Sequence, residues 1–172
     1  MKTKNIVFVA LFTAVLCVVA PLCLPIGIVP VSLATFVVYI SGAVLGGKKA
    51  AFAVLMYILL GVAGLPVFSG FSGGLQRIAS PLGGFILSYV PCAVVVATFS
   101  KNTKKLSGYI FSMFIATLLC YIIGLLWFVI FTKTTLVQGI IVCVLPFVLG
   151  DAVKIILASV VSVKLKTHVK LF

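Results

Sequence analysis

LSGYIFSMFIATLLCYIIGLLWFVIFT, the stretch from Leu106 to Thr132, runs for 27 residues without a charged side chain. A helix that spans a bilayer needs about 20 predominantly apolar residues, so this run reads as a membrane-crossing helix over about 107–131. Lysines bracket it, with Lys101, Lys104 and Lys105 before and Lys133 after. The alternation continues in both directions. Uncharged stretches run Ile6–Leu24, Ile26–Gly47, Ala50–Gln76, Ile78–Ser100 and Thr134–Gly150, the last continuing past Asp151 and Lys154 to Val163. With loops at Pro25–Pro30 and Leu65–Pro81, the pattern predicts an all-α polytopic membrane protein. Its six transmembrane helices are expected at about 6–24, 31–46, 50–64, 82–99, 107–131 and 136–163, in one domain over 1–172.

Composition agrees. Of 172 residues, 64% are hydrophobic and 8% charged, with a mean hydropathy of +1.45. Soluble domains are roughly 45–50% apolar and about 25% charged, which excludes a water-soluble globule. Twelve lysines, Arg77 and the single acid Asp151 give a net charge of +12. A nucleic-acid partner would require these cations on one face of a folded soluble domain. Here they form small groups between apolar runs, as suits an anionic membrane leaflet. With six spans both termini share a side, and that side collects Lys2, Lys4, Lys48, Lys49, Lys101, Lys104, Lys105, Lys164, Lys166 and Lys170. The opposite side collects Arg77 and Lys133. The positive-inside rule therefore puts both termini in the cytoplasm of a multi-pass protein of the cell membrane.

Several function classes drop out. The 19-residue run Ile6–Leu24 exceeds the apolar core of a signal peptide, about 7–15 residues, and reads as a retained first helix. Cys17, Cys23, Cys92, Cys120 and Cys143 make no C-x-x-C pair and read as small apolar packing residues. No metal site and no cofactor is expected. Gly46-Gly47-Lys48-Lys49 lacks the spacing and hydroxyl of a phosphate loop, so the chain does not hydrolyse ATP itself. One acid cannot supply a proton pump's carboxylates. The single histidine, His168, lies in the basic tail, leaving no nucleophile–base pair and no enzyme.

Three features stand out from the apolar background. Asp151 and Lys154 share one helix face at spacing i, i+3. At about 1.5 Å per residue, Asp151 lies about 20 Å from the basic end at Lys164, in the outer half of a core about 30 Å thick. Ionisable groups at that depth mark a ligand or pathway, or an ion pair that locks helices. Pro146 can kink this last helix. The second feature is Gly64–Gly84, with six glycines and two prolines in 21 residues. Apolar yet unable to form a plain helix, it suits an extracellular loop that caps a cavity or a structural plug. Gly73 and Gly74 would let backbone approach a ligand, and Arg77 could grip a carboxylate with its planar fork. The third feature is the small-x-x-x-small pair Ala10 and Ala14, which permits close approach by another helix.

If Arg77, Asp151 and Lys154 meet in one cavity, their charges sum to +1, which a small monoanion would neutralise. Tyr39, Phe68, Phe71 and Trp127 would favour an apolar body on that ligand. The residues thus point to a binder of a partly apolar, singly negative small molecule arriving from outside.

The sequence also resembles a known family. The segments Val29-Pro30-Val31-Ser32-Leu33, Gly61-Val62-Ala63-Gly64-Leu65-Pro66-Val67-Phe68, Pro81-Leu82-Gly83-Gly84-Phe85 and Leu145-Pro146-Phe147-Val148-Leu149-Gly150-Asp151-Ala152-Val153-Lys154 are similar to those of the BioY proteins. These are biotin-binding substrate (S) components of energy-coupling-factor (ECF) vitamin transporters. The resemblance implies a six-helix S component that captures biotin and is energised by a transmembrane coupling protein and two ABC ATPases. It implies that Ala10 and Ala14 dock the coupling protein. It also implies a biotin site holding Asp151, which would accept from ureido N–H groups, and Lys154, which would donate to a ligand oxygen. Arg77 would take the valerate carboxylate, by the charge sum above. The chain departs from the family at Ala34, where relatives carry glutamine, and at Leu82 and Phe85, where they carry hydroxyls. The alternatives are a stand-alone secondary carrier and an S component for a different small anionic vitamin.

Overall fold

The computed structural model describes residues 3–24, 31–103 and 105–168. It is built almost wholly of helices: α1 (Thr3–Val19), α2 (Ala34–Leu45), α3 (Gly47–Val62), α4 (Leu75–Ile78), α5 (Gly83–Ser100), α6 (Leu106–Thr132), α7 (Leu136–Cys143) and α8 (Leu145–His168). Between α1 and α2 a two-residue antiparallel pair joins β1 (Cys23–Leu24) to β2 (Val31–Ser32), with Cys23 opposite Ser32. The expected loop at Pro25–Pro30, together with Lys2, Lys104 and Lys170, lies outside the described residues.

Polarity is inverted relative to a soluble fold. Ser41, Ser88, Ser112, Thr117, Asp151, Lys154 and Ser159 are buried among the helices. Outside, Phe111, Phe114, Leu118, Ile122, Leu126 and Ile130 line one side of α6 at 42–79% exposure. Their spacing of three or four residues makes a continuous apolar stripe. No soluble monomer leaves such a face open to water, whereas hydrocarbon solvates it at no cost. Among the described residues, Gly83–Ser100, Leu106–Thr132 and Leu145–Lys166 are long and apolar enough to cross a membrane, and Thr3–Val19 and Ala34–Leu45 are shorter apolar helices.

Two boundaries differ from expectation. The predicted helix 136–163 is two helices, α7 and α8, parted at Val144. Thr135 opens α7 with a capping box, its hydroxyl accepting from Gln138 N–H. Pro146 does not kink α8 from within but sits in its first turn, where a missing N–H leaves no bond unmade. At the other junction α2 and α3 are separated by Gly46 alone, at φ 79° and ψ 160°. Positive φ combined with so extended a ψ is a conformation essentially reserved for glycine. Lys48 and Lys49 consequently lie in the first turn of α3 rather than in a loop.

The loop 63–82 is folded by its own backbone. Phe68 and Ser72 exchange N–H···O=C bonds of 2.9 and 3.3 Å around a tight turn with positive φ at Gly70 and Phe71. Gly70 N–H donates to Pro21 O (3.0 Å) and Gly74 N–H to Gly61 O (2.7 Å), tying the loop to the ends of α1 and α3. The Phe68 ring is the anchor. It is buried, meets Tyr57 edge-on at 5.7 Å, and occupies the space that a side chain at Gly61 would need. Gly61→Ala therefore overpacks this contact and is expected to cost about 1–3 kcal/mol, read as a lowered unfolding temperature in detergent.

Candidate functional site

Three charged side chains come together at the loop end of the bundle. Arg77, Asp151 and Lys154 line one cavity, with Ser32, Thr35 and Ser69, the apolar Leu82, Phe85, Ile86 and Phe147, and Tyr89, Cys120 and Tyr121. The polar groups are delivered by five elements and the loop. Asp151 and Lys154 come from the second and third turns of α8, Arg77 from α4 within the loop, Tyr121 from α6, Ser32 from β2 and Thr35 from the first turn of α2. Phe85, Ile86 and Tyr89 share one face of α5, at i, i+1 and i+4.

The Asp151–Lys154 pair is buried and fully organised. Lys154 Nζ lies 2.6 Å from Asp151 Oδ1, with both side chains 8% exposed. The same ammonium donates to Ser32 O (2.9 Å) and Thr35 Oγ1 (3.2 Å). An ammonium has three N–H donors, and all three are taken by protein oxygens. Lys154 thus orients Asp151 instead of offering a spare donor to a ligand, a departure from the role implied by the family resemblance. Asp151 Oδ2 accepts from the Tyr121 hydroxyl at 2.6 Å. A carboxylate has about four acceptor positions, so two bonds leave Asp151 able to accept two more from the cavity.

Arg77 is the opposite pole. Its guanidinium is half-buried, and Nη2 donates to Ser69 O at 3.2 Å. With five donors in a fixed fork, it retains N–H groups for an anion. The strand-like turn that presents Ser69 is thus also what holds Arg77 in place. The net result is a cavity with an acceptor at Asp151, a donor at Arg77, an apolar wall between helices α5, α6 and α8, and a fixed charge of +1.

Four candidates from the sequence do not line this cavity. Tyr39 is buried in the core, its hydroxyl 2.6 Å from Thr117 Oγ1. Phe71 is 65% exposed on the turn at φ 54°. At Gly73 a side chain would strike Leu65 O, so this glycine serves the loop's own packing. Gly74 begins α4 at φ 91°. Of the other aromatics, Phe68 anchors the loop, and Trp127 Nε1 donates to Ser80 O at 3.0 Å. The departures at Leu82 and Phe85 both lie in the lining, and Ala34 is buried in the core. Ala10 and Ala14 are exposed on α1, whereas Thr13 and Leu16 are buried. Sequence reasoning missed Thr35, Ser69, Tyr89 and Tyr121.

This arrangement has relatives. The "Probable biotin transporter BioY" of Pyrococcus horikoshii is 38% identical over 166 residues, 96% of this chain and 98% of that protein. The "Biotin transporter BioY" of Thermotoga maritima is 33% identical over 164 residues, 95% of this chain and 96% of that one. A solved structure described as "Crystal structure at 2.1 A of the S-component for biotin from an ECF-type ABC transporter" matches with a TM-score of 0.89 at 25% identity, covering 96% of this chain and 92% of that one. The BioY family model matches residues 1–171. By fold, by sequence along its whole length and by family match, the chain belongs to the BioY family.

Proposed function

We propose that this chain is a biotin-capturing S component of an ECF transporter. It takes biotin from outside the cell and depends on a transmembrane coupling protein and two ABC ATPases for energy. The observation that carries this reading is the meeting of Arg77, Asp151 and Lys154 in one cavity. Biotin has two ureido N–H donors at one end, a carboxylate at the other and an apolar body between. Asp151 has two acceptor positions open, Arg77 has guanidinium donors to spare, and Leu82, Phe85, Ile86 and Phe147 supply the apolar wall. The acid's single negative charge offsets the cavity's +1.

In this reading α1, α2, α3, α5, α6 and α8 are the six spans of a multi-pass protein of the cell membrane, and both termini are cytoplasmic. Charge placement supports the orientation. Pro21, Gly61, Ser80 and Trp127 mark the cavity end through their contacts with the loop. Followed away from those points, the helices lead to Lys4, Lys48, Lys49, Lys101, Lys105, Lys164 and Lys166. The cavity end carries Arg77 and Lys133. That asymmetry is the one the positive-inside rule associates with a cytoplasmic basic end.

Ala10 and Ala14 supply a smooth, exposed face for the coupling protein. Changing both to leucine is expected to leave biotin binding within about twofold and to abolish biotin uptake with the partners present. Equal loss of binding and uptake would remove the docking role. The function as a whole is tested by uptake of labelled biotin in a host lacking its own carrier. Accumulation should require the coupling protein and ATPases, and strong concentrative uptake by this chain alone would favour a secondary carrier.

A further inference from the structure

A second feature lies at the opposite end of the bundle. Lys166 Nζ donates to Ser100 O (3.1 Å), at the end of α5, and sits 5.5 Å from the centre of the Tyr109 ring in the first turn of α6. These contacts bring the C-terminal half of α8 to the short connection between α5 and α6, which carries exposed Lys101 and Lys105. Lys164 lies one residue pair away on α8. The corner therefore gathers three cations, Lys101, Lys105 and Lys166, and the chain's single acid is committed to Lys154 in the cavity.

From this corner an apolar groove opens between α6 and α8, lined by Ser107, Ile110, Phe111 and Phe114 of α6 and Ala152, Ile155 and Ile156 of α8. Phe111, Phe114 and Ile156 expose 55%, 50% and 54% of their surface to it and to the bilayer. Ser107 is two residues from Lys105. At about 1.5 Å per residue, Ile156 lies about 15 Å along α8 from Lys166, half the thickness of a hydrocarbon core of about 30 Å. The groove thus begins at headgroup level, passes the midplane near Ile156 and ends at Ala152, about 21 Å from Lys166.

We propose that this corner and groove form a binding site for one anionic phospholipid, its phosphate among Lys101, Lys105 and Lys166 and one acyl chain in the groove. Charge complementarity selects the occupant. A polybasic corner at the membrane surface attracts anionic headgroups at about 1 kcal/mol per lysine, or about fivefold per residue, and an apolar channel about 21 Å long suits an acyl chain. A zwitterionic lipid would gain the groove without the corner. Seated there, the lipid would staple α5, α6 and α8 at the end away from the biotin cavity. The leaflet it occupies is set by the orientation proposed above; the site itself is not.

The test is native mass spectrometry of the purified full-length chain in detergent, titrated with palmitoyl-oleoyl phosphatidylglycerol or with the phosphatidylcholine of the same chains. One phosphatidylglycerol is expected to be retained at concentrations where phosphatidylcholine is not. Lys101→Gln with Lys105→Gln, both at exposed positions, should weaken phosphatidylglycerol about 25-fold. Ser107→Trp, which fills the groove mouth, should displace the lipid with the lysines intact. Biotin binding should be unchanged in each variant, which shows that they fold and separates this site from the cavity. Equal retention of the two lipids, or an unaltered preference in the lysine variant, overturns the proposal. Loss of coupling-protein association in that variant with lipid preference intact would assign the corner to a protein partner instead.

Discussion

Asp151→Asn is expected to lower biotin affinity about 10- to 150-fold in titration calorimetry on the detergent-solubilised chain. Two effects combine. Asparagine keeps one acceptor oxygen but replaces the other by an NH2 donor, so an N–H of the ligand meets a donor where it met an acceptor. Hydrogen bonds to a charged group are worth about 1.5–3 kcal/mol, and about 1.4 kcal/mol is tenfold in affinity. The new NH2 also faces one of the two donors that Asp151 accepts from, Tyr121 and Lys154, both at 2.6 Å, so one of those bonds is lost. Asp151→Glu, which restores the charge one methylene further out, should recover part of the loss. Unchanged biotin affinity in Asp151→Asn would remove this carboxylate from the site.

Lys154→Met is expected to cost the most stability of any single change described here. It leaves Asp151 5% exposed and without its cation. Breaking a buried pair from one side costs about 3–5 kcal/mol, because the remaining charge must stay buried uncompensated or take up a proton. The bonds from Lys154 to Ser32 O and Thr35 Oγ1, which tie α8 to the start of α2, go with it. The double variant Asp151→Asn with Lys154→Met removes both charges and should regain most of that stability while remaining unable to bind biotin tightly. Thermal unfolding in detergent reads the first effect and calorimetry the second. Additive losses in the double variant would mean that the two side chains act independently, against the 2.6 Å contact.

The all-helical, apolar character of the fold and the charges that meet in the cavity are legible in the sequence for one reason. In a chain with one acid and one arginine, any charge placed within an apolar run is costly enough to be informative. Arg77, Asp151 and Lys154 were found on that ground, and the structure brings them to one cavity. Tyr121, Thr35 and Ser69 were not found, because a hydroxyl or a backbone carbonyl on an apolar segment carries no such mark until its partner is known. The faces of the helices were equally hidden. The segments are apolar all round, so periodicity does not separate Phe85, which faces the cavity, from Tyr39, which is buried in the core. Phe71, Gly73 and Gly74 were chosen for their place in the glycine-rich loop, yet its hydrogen bonds turn those positions to the surface or to the loop's own backbone. The division at Val144 was also invisible. It falls within an uninterrupted apolar run, and Pro146 beyond it fits a helix start as well as a kink.

Lys154 is the residue whose role changed most between the two descriptions. Read as a ligand contact, it would have its donors turned to the cavity. In the fold its three donors end on Asp151, Ser32 and Thr35, so under the proposed function its contribution to binding would run through the carboxylate it orients. The ligand's anionic end would then fall to Arg77, whose fork is half-buried and anchored at Ser69.

The central claim is electrostatic: a cavity with one unit of surplus positive charge selects an acid. Calorimetric titration of the purified chain with biotin and with biotin methyl ester tests it directly. The ester keeps the ureido ring and the apolar body and loses the charge. The expected result is saturable one-to-one binding of biotin, weakened about tenfold or more for the ester, with Arg77→Gln binding both alike. Biotin and its ester bound equally by the unaltered chain, or a preference for the acid that survives Arg77→Gln, would contradict it.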